Sequence, residues 1–357
     1  MNNIFLTISR MLKHQSLLAL GNLPPRCRVQ DGAILCLHSI VPDGQLQPPF
    51  HPRRHLAISA SFLEALIVDL RRLHFDLVSL GDAIARLKNG SSRPFIAFTL
   101  DDGYADNFTL AYPIFSRHQV PFTVFVTTGF VDQTVPIWWV LLETLIRERD
   151  CVVLTDRILP TGTLPEKNAA YVSIDELVRS LAADRLNAFF EELLDANPGT
   201  QAHTDALSAA LAWADLRTMA ATGLATVGCH TVTHRPLSRL EQGACEIEIL
   251  VARDRIAVEL DEAPRYFAYP YGGPDDVGTV APAVVANADF EAAFNLNRML
   301  LRGYDEATAY QVPRIVVQSE NLALARAYIC GLPWGLRDAF KPARAPIDAA
   351  QQPPLHN

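Results

Sequence analysis

Short segments rich in β-branched and aromatic residues alternate with longer segments of helical periodicity along most of this 357-residue chain. Such alternation is typical of a parallel sheet whose strands are joined by right-handed helical crossovers. Seven or eight units of this kind favour a sheet that closes into a barrel. The predicted strands are residues 33–37, 76–79, 95–100, 122–127, 225–229, 265–269, 292–294 and 314–317. We therefore predict an α/β fold, a distorted (β/α) barrel of seven or eight strands.

One interval departs from this alternation. Residues 136–212 show mainly helical periodicity, in segments 139–149 and 174–197, with a loop near 156–167. We interpret the interval as a helical insertion on the barrel. The predicted organisation is a helical extension (residues 1–30), a barrel domain that carries the insertion (31–340), and a flexible tail rich in Pro, Ala and Gln (341–357).

Composition narrows the classes of partner and compartment. The chain is 49% apolar and carries 39 acidic against 31 basic residues, a formal charge of −8. No basic stripe stands out, so nucleic acid is not an expected partner. The six cysteines lack C-x-x-C spacing, and Cys36, Cys229 and Cys330 lie in apolar segments that are typical of buried thiols. That usage favours a reducing compartment, so we predict a cytoplasmic protein.

Two segments bear on contact with a membrane. The most apolar stretch, residues 120–142, is interrupted by Gly129, Asp132 and Pro136, so it does not predict a transmembrane helix. Within residues 1–20, apolar side chains fall on one helical face. Two interpretations stay open for that segment: a terminal helix packed on the protein, and a helix in peripheral contact with a membrane.

Polar and aromatic residues directly follow four of the predicted strands. They are His38 after 33–37, Asp101 and Asp102 after 95–100, His230 and His234 after 225–229, and Tyr271 after 265–269. Parallel barrels place their active sites at the carboxyl ends of their strands. We therefore expect these side chains to meet at one end of the barrel.

The paired acids and the paired histidines point to a metal. Adjacent aspartates cannot point the same way, so Asp101 and Asp102 suit two different roles. His230 and His234 are four residues apart, and a single helical turn brings such residues onto one face. Two histidines and one carboxylate are a common ligand set for a catalytic divalent metal. Alone, an Asp-Asp-Gly turn or a histidine pair is usually a surface feature, but their coincidence at neighbouring strand ends favours a metal site.

Three motifs carry a specific resemblance. Phe98-Thr99-Leu100-Asp101-Asp102-Gly103 resembles the first motif of polysaccharide deacetylases, the nodulation-deacetylase homology domain of carbohydrate esterase family four. Gly228-Cys229-His230-Thr231-Val232-Thr233-His234 resembles the second motif, H-[ST]-x-x-H. Residues 267–272 resemble the third, an aromatic-Pro-Tyr-Gly turn. The similarity extends over about residues 33–318, with the helical interval as an insertion.

The resemblance implies a role for each matching residue. The metal would be held by Asp102, His230 and His234, and it would be Zn²⁺ in the first place, with Co²⁺, Ni²⁺ or Mn²⁺ as alternatives. Asp101 would be the general base, and the backbone N–H of Tyr271 would contribute to the oxyanion hole.

The catalytic acid of the family is a histidine on a Leu-x-His strand that normally ends the domain. Here the similar sequence, Leu35-Cys36-Leu37-His38, lies near the amino end. This order is similar to a branch of the family that acts on exopolysaccharide glucosamine polymers. In a closed barrel the first and last strands are neighbours, so His38 can still reach the site. The alternative is that His38 is a buried structural histidine.

This chain also departs from the family pattern. The third motif usually carries an arginine near its start, where this chain has Ala268-Tyr269. Arg314 is the candidate for the missing cation beside Asp101, and the alternative is a surface arginine. No acid that would orient His38 is identified in the sequence. Trp138 and Trp139 either form a stacking platform for a sugar ring or pack the insertion onto the barrel.

The expected activity is metal-dependent hydrolysis of N-acetyl groups on an amino-sugar polysaccharide or glycoconjugate, with release of acetate. A deformylase or amidase acting on a lipid-linked sugar or a small amide is the nearest alternative, because it would need the same fold and metal. Two histidines and a carboxylate also describe the facial triad of iron oxygenases. An inactive carbohydrate-binding relative is a further alternative, which the complete set of motifs disfavours.

Overall fold

Parallel strands form the centre of the molecule. The computed structural model describes residues 32–45, 48–182, 185–297, 301, 304 and 308–331. The predicted extension 1–30, its membrane contact through residues 1–20, and the predicted tail 341–357 lie outside the described residues. The strands are β1 (Gly32–Leu37), β2 (Ser39–Val41), β3 (Ala57–Ser59), β4 (Asp76–Leu77), β5 (Phe95–Leu100), β6 (Phe122–Val126), β7 (Cys151–Val153), β8 (Ile158–Pro160), β9 (Ala225–Cys229), β10 (Tyr266–Ala268), β11 (Ala292–Asn295), β12 (Val312–Pro313) and β13 (Ile315–Val316).

The main sheet curls into a nearly closed barrel. Its hydrogen-bonded order is β12-β11-β10-β9-β6-β5-β1-β13, and every pair in it is parallel. The two end strands, β12 and β13, are separated in the chain by Arg314 alone, so the sheet must return to its own starting edge. The predicted distorted (β/α) barrel is confirmed, with eight strands in the ring.

Two predicted strands differ from those in the ring. The strand predicted at residues 314–317 is the shorter β13, and Arg314 separates it from β12, which lies before the predicted range. The strand predicted at 76–79 is β4, which pairs with the first residues of β5 and stays outside the ring. Its two paired residues, Asp76 and Leu77, are half-buried, whereas every residue of β5 is buried. The prediction of a strand here is therefore confirmed, but β4 lies at the margin of the sheet and the ring closes without it.

Helices surround the ring. They are α1 (Ala60–Arg72), α2 (Leu80–Asn89), α3 (Tyr112–Arg117, after a π-helical turn at Asn107–Ala111), α4 (Thr128–Val131), α5 (Trp138–Arg147), α6 (Leu164–Ser180), α7 (Leu186–Ala196), α8 (Ala202–Ser208), α9 (Trp213–Ala220), α10 (Gln242–Leu260), α11 (Pro274–Val277), α12 (Ala281–Ala286) and α13 (Leu322–Ile329). Ser59 and Ser79 begin α1 and α2, because each side chain accepts a hydrogen bond from a backbone N–H of the first turn.

Large side chains fill the interior of the barrel. Phe95, Phe125, Tyr266 and Phe294 belong to one buried cluster with Ile34, and none of these aromatic rings is more than 1% exposed. A second cluster packs the helices against the outer face of the sheet. The interior is thus a packed core rather than a pore, and in such barrels the site lies at the carboxyl ends of the strands.

The interval 136–212 is not only helical. It holds α5 to α8 and also the antiparallel hairpin of β7 and β8. The predicted loop at 156–167 is therefore partly wrong, since it contains β8 and the start of α6, which a capping box at Thr163 and Glu166 fixes. The helical segment predicted at 174–197 is two helices, α6 and α7. The interval has its own hydrophobic core, which also includes Tyr104 and Phe130 of the barrel.

The structure bears on two earlier predictions, the buried thiols and the lack of a transmembrane helix. Cys36 and Cys229 are buried free thiols, as expected, but Cys330 is disulfide-bonded, so the interpretation of Cys330 as a thiol is wrong. That bond weakens the cysteine argument for a reducing compartment. Among the helices of the described residues, none combines the length and apolar character that a bilayer crossing needs.

Candidate active site

The two aspartates diverge because the chain turns sharply after β5. Asp102 has φ 75° and Gly103 has φ 83°, both in the left-handed region that most side chains avoid. Glycine at 103 relieves this cost, and a Cβ there would lie 3.3 Å from the Val126 side chain. Asp101 and Asp102 are each at most 2% exposed. The turn therefore directs two buried carboxylates to different neighbours.

The two histidines meet through an irregular turn, and the prediction of a helical turn is wrong. Thr231 and His234 have φ values of 68° and 56°. The Thr231 hydroxyl accepts a 3.0 Å hydrogen bond from the His234 N–H. Glu248 of α10, 3% exposed, accepts hydrogen bonds of 2.9 Å from the N–H groups of Val232 and Thr233 and another from the Thr233 hydroxyl. A buried acid on a neighbouring helix thus fixes the loop.

Sequence reasoning missed Glu248. The only signal is its position on the buried face of α10, together with Cys245, Ile249 and Ala252. An acid in such a row is unusual, since an ionised carboxylate is rarely buried without partners. The sequence does not show that its partners are the N–H groups of the histidine loop.

Asp102, His230 and His234 converge in the way a metal requires. Asp102 Oδ1 lies 3.5 Å from His230 Nε2 and 3.1 Å from His234 Nε2. The Nδ1 of His230 is 2.7 Å from the carbonyl oxygen of Ala268. Nδ1 therefore carries a proton and donates a hydrogen bond to that carbonyl, a tautomer that leaves the lone pair on Nε2 free to bind a cation.

The state of the Asp102 carboxylate tests whether these three residues suit a divalent cation. Neither of its oxygens has a well-formed hydrogen bond from a described residue, although both are buried. Burial raises the pKa of Asp102, but the imidazoles of His234 and His230 outweigh it and hold the pKa well below the usual range. Burial lowers the pKa of His234 to about 4, so this ring is neutral, as a ligand must be. An ionised carboxylate without a well-formed hydrogen bond, facing the neutral ring of His234 and Nε2 of His230, fits a divalent cation.

A second donor set is less suited to a metal. Cys36, His38 and Asp101 also bring their donor atoms within 4.8 Å of one another. However, the Arg314 guanidinium donates a 2.7 Å hydrogen bond to each oxygen of Asp101. Burial raises the pKa of Asp101, yet Arg314, with His230 and His38, keeps the pKa below its ordinary value. The charge of Asp101 is thus already balanced, whereas that of Asp102 is not.

Arg314 lies where the sequence analysis placed the missing cation. It is 2% exposed, which excludes the alternative of a surface arginine. Its Nη1 also donates a 2.9 Å hydrogen bond to the Thr99 hydroxyl. The single residue between β12 and β13 therefore links the closing edge of the barrel to the end of β5.

His38 directly follows β1, at the same end of the barrel. It is 7% exposed, and burial lowers its pKa from the ordinary value. Its Nδ1 lies 4.0 Å from the Cys36 thiol, which in turn donates a 3.4 Å hydrogen bond to Asp101 Oδ2. Among the described side chains, no carboxylate lies within ion-pair distance of His38. The acid that the sequence left unidentified is therefore not found beside His38 in the described chain.

Aromatic rings enclose His234. Its ring centroid lies 4.8 Å from Trp139, 4.8 Å from Tyr271 and 6.2 Å from Phe130. Trp138 and Trp139 are 1% and 2% exposed, so they pack the insertion onto the barrel and do not form an open platform for a sugar ring. Tyr271 has φ 61°, and its backbone N–H meets no acceptor among the described residues. That N–H remains available to a ligand.

An open cleft of about 310 Å³ gives access to these groups. Besides the residues discussed, its walls include Arg53 from the loop before β3, and Tyr171, Asp175 and Arg179 from α6. Arg179 lies 4.0 Å over the Tyr271 ring and pairs with Asp276 at 2.5 Å. The sequence gave no reason to single out these wall residues, because their segments carry none of the three motifs.

Comparison with models of protein families identifies the family of this chain. Residues 88–290 match the family model for polysaccharide deacetylase. The chain belongs to the polysaccharide deacetylase family. The match spans the metal-binding candidates, Asp101 and Tyr271, whereas His38 and Arg314 lie outside it. The family uses a divalent metal, and in this polysaccharide deacetylase Asp102, His230 and His234 are the residues that could hold it.

Solved structures share the fold. The deacetylase PplD of Streptococcus pyogenes, solved in complex with acetate, has a TM-score of 0.52 at 14% identity, covering 83% of this chain and 97% of that chain. IcaB from Ammonifex degensii has a TM-score of 0.53 at 18% identity, covering 84% and 97%. A de-N-acetylase from Aggregatibacter actinomycetemcomitans has a TM-score of 0.53 at 16% identity, covering 80% and 95%. Comparison with curated proteins gives no significant match.

Proposed function

We propose that this polysaccharide deacetylase is a metal-dependent hydrolase that removes N-acetyl groups from an amino-sugar polysaccharide or glycoconjugate and releases acetate. The observation that carries the proposal is the Asp102 carboxylate, buried, without a well-formed hydrogen bond, and facing Nε2 of both His230 and His234. Asp101 and His38 line the same cleft, so candidates for proton transfer stand beside the candidate metal ligands.

The residues proposed to hold the metal are Asp102, His230 and His234. We propose Zn²⁺ as the native ion, with Co²⁺, Ni²⁺ or Mn²⁺ as alternatives, since imidazole and carboxylate ligands suit all four. When bound, such an ion polarises a carbonyl group and lowers the pKa of water towards ~7. The hydrogen bond from His230 Nδ1 to Ala268 holds this ring in the tautomer that leaves Nε2 free.

Asp101 is the proposed general base. Its Oδ2 accepts hydrogen bonds from Arg314 and from the Cys36 thiol, whereas Oδ1 accepts one from Arg314. A carboxylate oxygen has two lone pairs, so Oδ1 keeps one for the attacking water. Arg314 keeps the carboxylate ionised and fixes its direction. In this proposal Asp101 takes a proton from water as the water oxygen attacks the acetyl carbon.

His38 and Tyr271 complete the proposed set. His38, when protonated, gives its proton to the departing nitrogen, which leaves as a free amine. Tyr271 lines the cleft, and its unengaged N–H is proposed to stabilise negative charge on the acetyl oxygen. The same residues would serve a deformylase or an amidase, so the acyl group and the carrier are questions for the assay.

Acetate release from a panel of acetylated amino-sugar polymers, oligomers and lipid-linked sugars tests the proposal. We expect release that stops after treatment with a chelator and returns when Zn²⁺ is added back. The Asp102→Asn protein is the matched control and should stay inactive with added Zn²⁺. Release of formate but not acetate would support the deformylase, and no acyl release from any substrate in the presence of metal would contradict the proposal.

A further inference from the structure

Arg53 stands beside the candidate metal site on a rigid aromatic surface. Its guanidinium carbon lies 4.2 Å from the centroid of the Trp139 ring. Trp139 is fixed in turn by a 2.6 Å hydrogen bond to the Tyr104 hydroxyl, and its ring centroid lies 4.8 Å from that of His234. Arg53 and a proposed metal ligand therefore rest on the same indole.

Arg53 lacks the partner that other arginines of this protein have. Arg314 makes two hydrogen bonds of 2.7 Å to Asp101, and Arg326 makes two of 2.6 Å to Asp69. The nearest carboxylate oxygen to Arg53 is Asp102 Oδ2, at 3.9 Å. The Arg53 side chain is only 18% exposed, and its Nε has no hydrogen-bond partner among the described residues.

Phenol groups also interact electrostatically with Arg53, among them those of Tyr104 and Tyr171. A phenol is neutral at physiological pH and does not balance the charge of a guanidinium. Arginine has five N–H donors in a planar fork that matches carboxylate geometry. Arg53 thus presents unused donors inside the cleft, and leaving buried donors unsatisfied is costly.

The balance of charge points to an anion as the missing partner. Asp101 is neutralised by Arg314, and Asp276 pairs with Arg179. Asp102, the only carboxylate within 4.0 Å of Arg53 among the described residues, is the one that the proposed function assigns to the metal. Asp175 of the cleft also interacts electrostatically with Arg53, but its ion-pair partner, at 3.9 Å, is Arg179. Once Asp102 is engaged, no other carboxylate of the described residues lies within 4.0 Å of Arg53, which leaves this guanidinium for an incoming negative group.

We propose that Arg53 is a further catalytic residue: it donates hydrogen bonds to the acetyl oxygen as negative charge develops there, together with the Tyr271 N–H, and it holds the carboxylate of the acetate product. This inference rests on the proposed deacetylation. In that reaction the water oxygen bonds to the acetyl carbon, the C–N bond breaks, the nitrogen takes a proton, and acetate leaves as an anion. Charge therefore appears on the oxygens of the acyl group.

Three variants separate this role from simple packing on Trp139. Arg53→Met removes the charge and keeps much of the volume, and Arg53→Lys keeps the charge but loses the planar fork. Arg54→Met is the matched control, because Arg54 is the adjacent arginine and is exposed. We expect Arg53→Met to lower kcat by about 10²–10³-fold with little change in KM, as for loss of one oxyanion donor. Arg53→Lys should recover part of the rate, and Arg54→Met should equal the wild type.

Calorimetric titration of the zinc-loaded proteins with sodium acetate provides a readout that needs no turnover. Acetate should bind the wild type and Arg54→Met, and should bind Arg53→Met at least about tenfold more weakly, as expected for a lost charge-assisted contact. Equal acetate affinity of Arg53→Met and the wild type, or loss of zinc from Arg53→Met, would overturn the proposal. If acetate binding depends on Arg53 but no glycan is deacetylated, the result contradicts the proposed function and still supports anion binding by Arg53.

Discussion

The Arg314 guanidinium donates a 2.7 Å hydrogen bond to each carboxylate oxygen of Asp101, although 213 residues separate the two in the chain. Arg314 is the single residue between β12 and β13, and Asp101 follows β5. The pair therefore joins the strands that close the ring to the turn that carries both aspartates. Closure of the barrel and orientation of the proposed base depend on the same contact.

Breaking this pair should destabilise the protein. Arg314→Met leaves the buried Asp101 carboxylate without its counter-charge, and loss of one partner of a buried pair costs about 3–5 kcal/mol. We expect the free energy of unfolding, measured with urea, to fall by that amount. The double variant Asp101→Asn/Arg314→Met should be less destabilised than Arg314→Met, because it buries no lone charge. Equal losses in the two proteins would show that packing, and not charge, sets the effect.

Glu248 should control metal affinity without touching the metal. Glu248→Ala removes the acceptor of three hydrogen bonds that hold the loop of His230 and His234. Loss of such an outer support typically costs about 10–100-fold in metal affinity. Competition of the purified proteins with a chromogenic zinc chelator measures this effect. Glu246→Ala is the control, because Glu246 lies on the same helix but is bonded to the exposed Gln242, and this variant should keep wild-type zinc affinity. A Glu248→Ala protein with wild-type zinc affinity would contradict the proposed role of Glu248.

His38 should matter most for poor leaving groups. His38→Ala should keep its zinc and slow the hydrolysis of an unactivated acetamide severely, since a lost general acid costs about 10²–10⁴-fold. An activated acetate ester needs no proton for its leaving group, so its hydrolysis should suffer much less. Steady-state rates on both substrates decide the matter. If both rates fall equally, or if zinc is lost, His38 has a structural or ligand role.

The stability that Asp69 contributes should depend on pH. Burial raises the pKa of Asp69, but hydrogen bonds from Arg326 and Arg72 outweigh it and lower the pKa below the ordinary value. A carboxylate with a lowered folded-state pKa contributes stability above the unfolded pKa of about 3.9, and this contribution is lost as the pH falls below it. Asp69→Asn should therefore be less stable than the wild type at pH 7, and the gap should narrow near pH 3. A constant gap in urea midpoints would contradict this assignment.

The ring of strands and the residues at their carboxyl ends could be predicted from the sequence. Apolar runs such as β5 and β9 are continuous because both faces are buried, and the side chains that follow them must lie at one end of a parallel barrel. Arg314 could be named as a candidate because Pro313 and a β-rich run place it at a strand. Its pairing with Asp101 required knowing that the strands close the ring.

Other parts of the site could not be predicted, because they depend on contacts between distant segments. The loop of His230 and His234 is irregular because Glu248 and Thr231 satisfy its N–H groups, which local periodicity does not reveal. Arg53 and Tyr171 reach the cleft from segments without a motif. The hairpin of β7 and β8 was missed because Cys151–Val153 and Ile158–Pro160 are each three residues long, too short for a clear alternation.

The division of labour between the two adjacent aspartates is the central claim. The most direct measurement is the zinc content of Asp101→Asn and Asp102→Asn, determined by elemental analysis beside acetate release from one active substrate. Asp101→Asn should retain zinc and lose about 10²–10⁴-fold of the rate, as expected for a missing general base, whereas Asp102→Asn should lose zinc and activity together. Full zinc occupancy in Asp102→Asn, or near-normal turnover of zinc-loaded Asp101→Asn, would contradict the account.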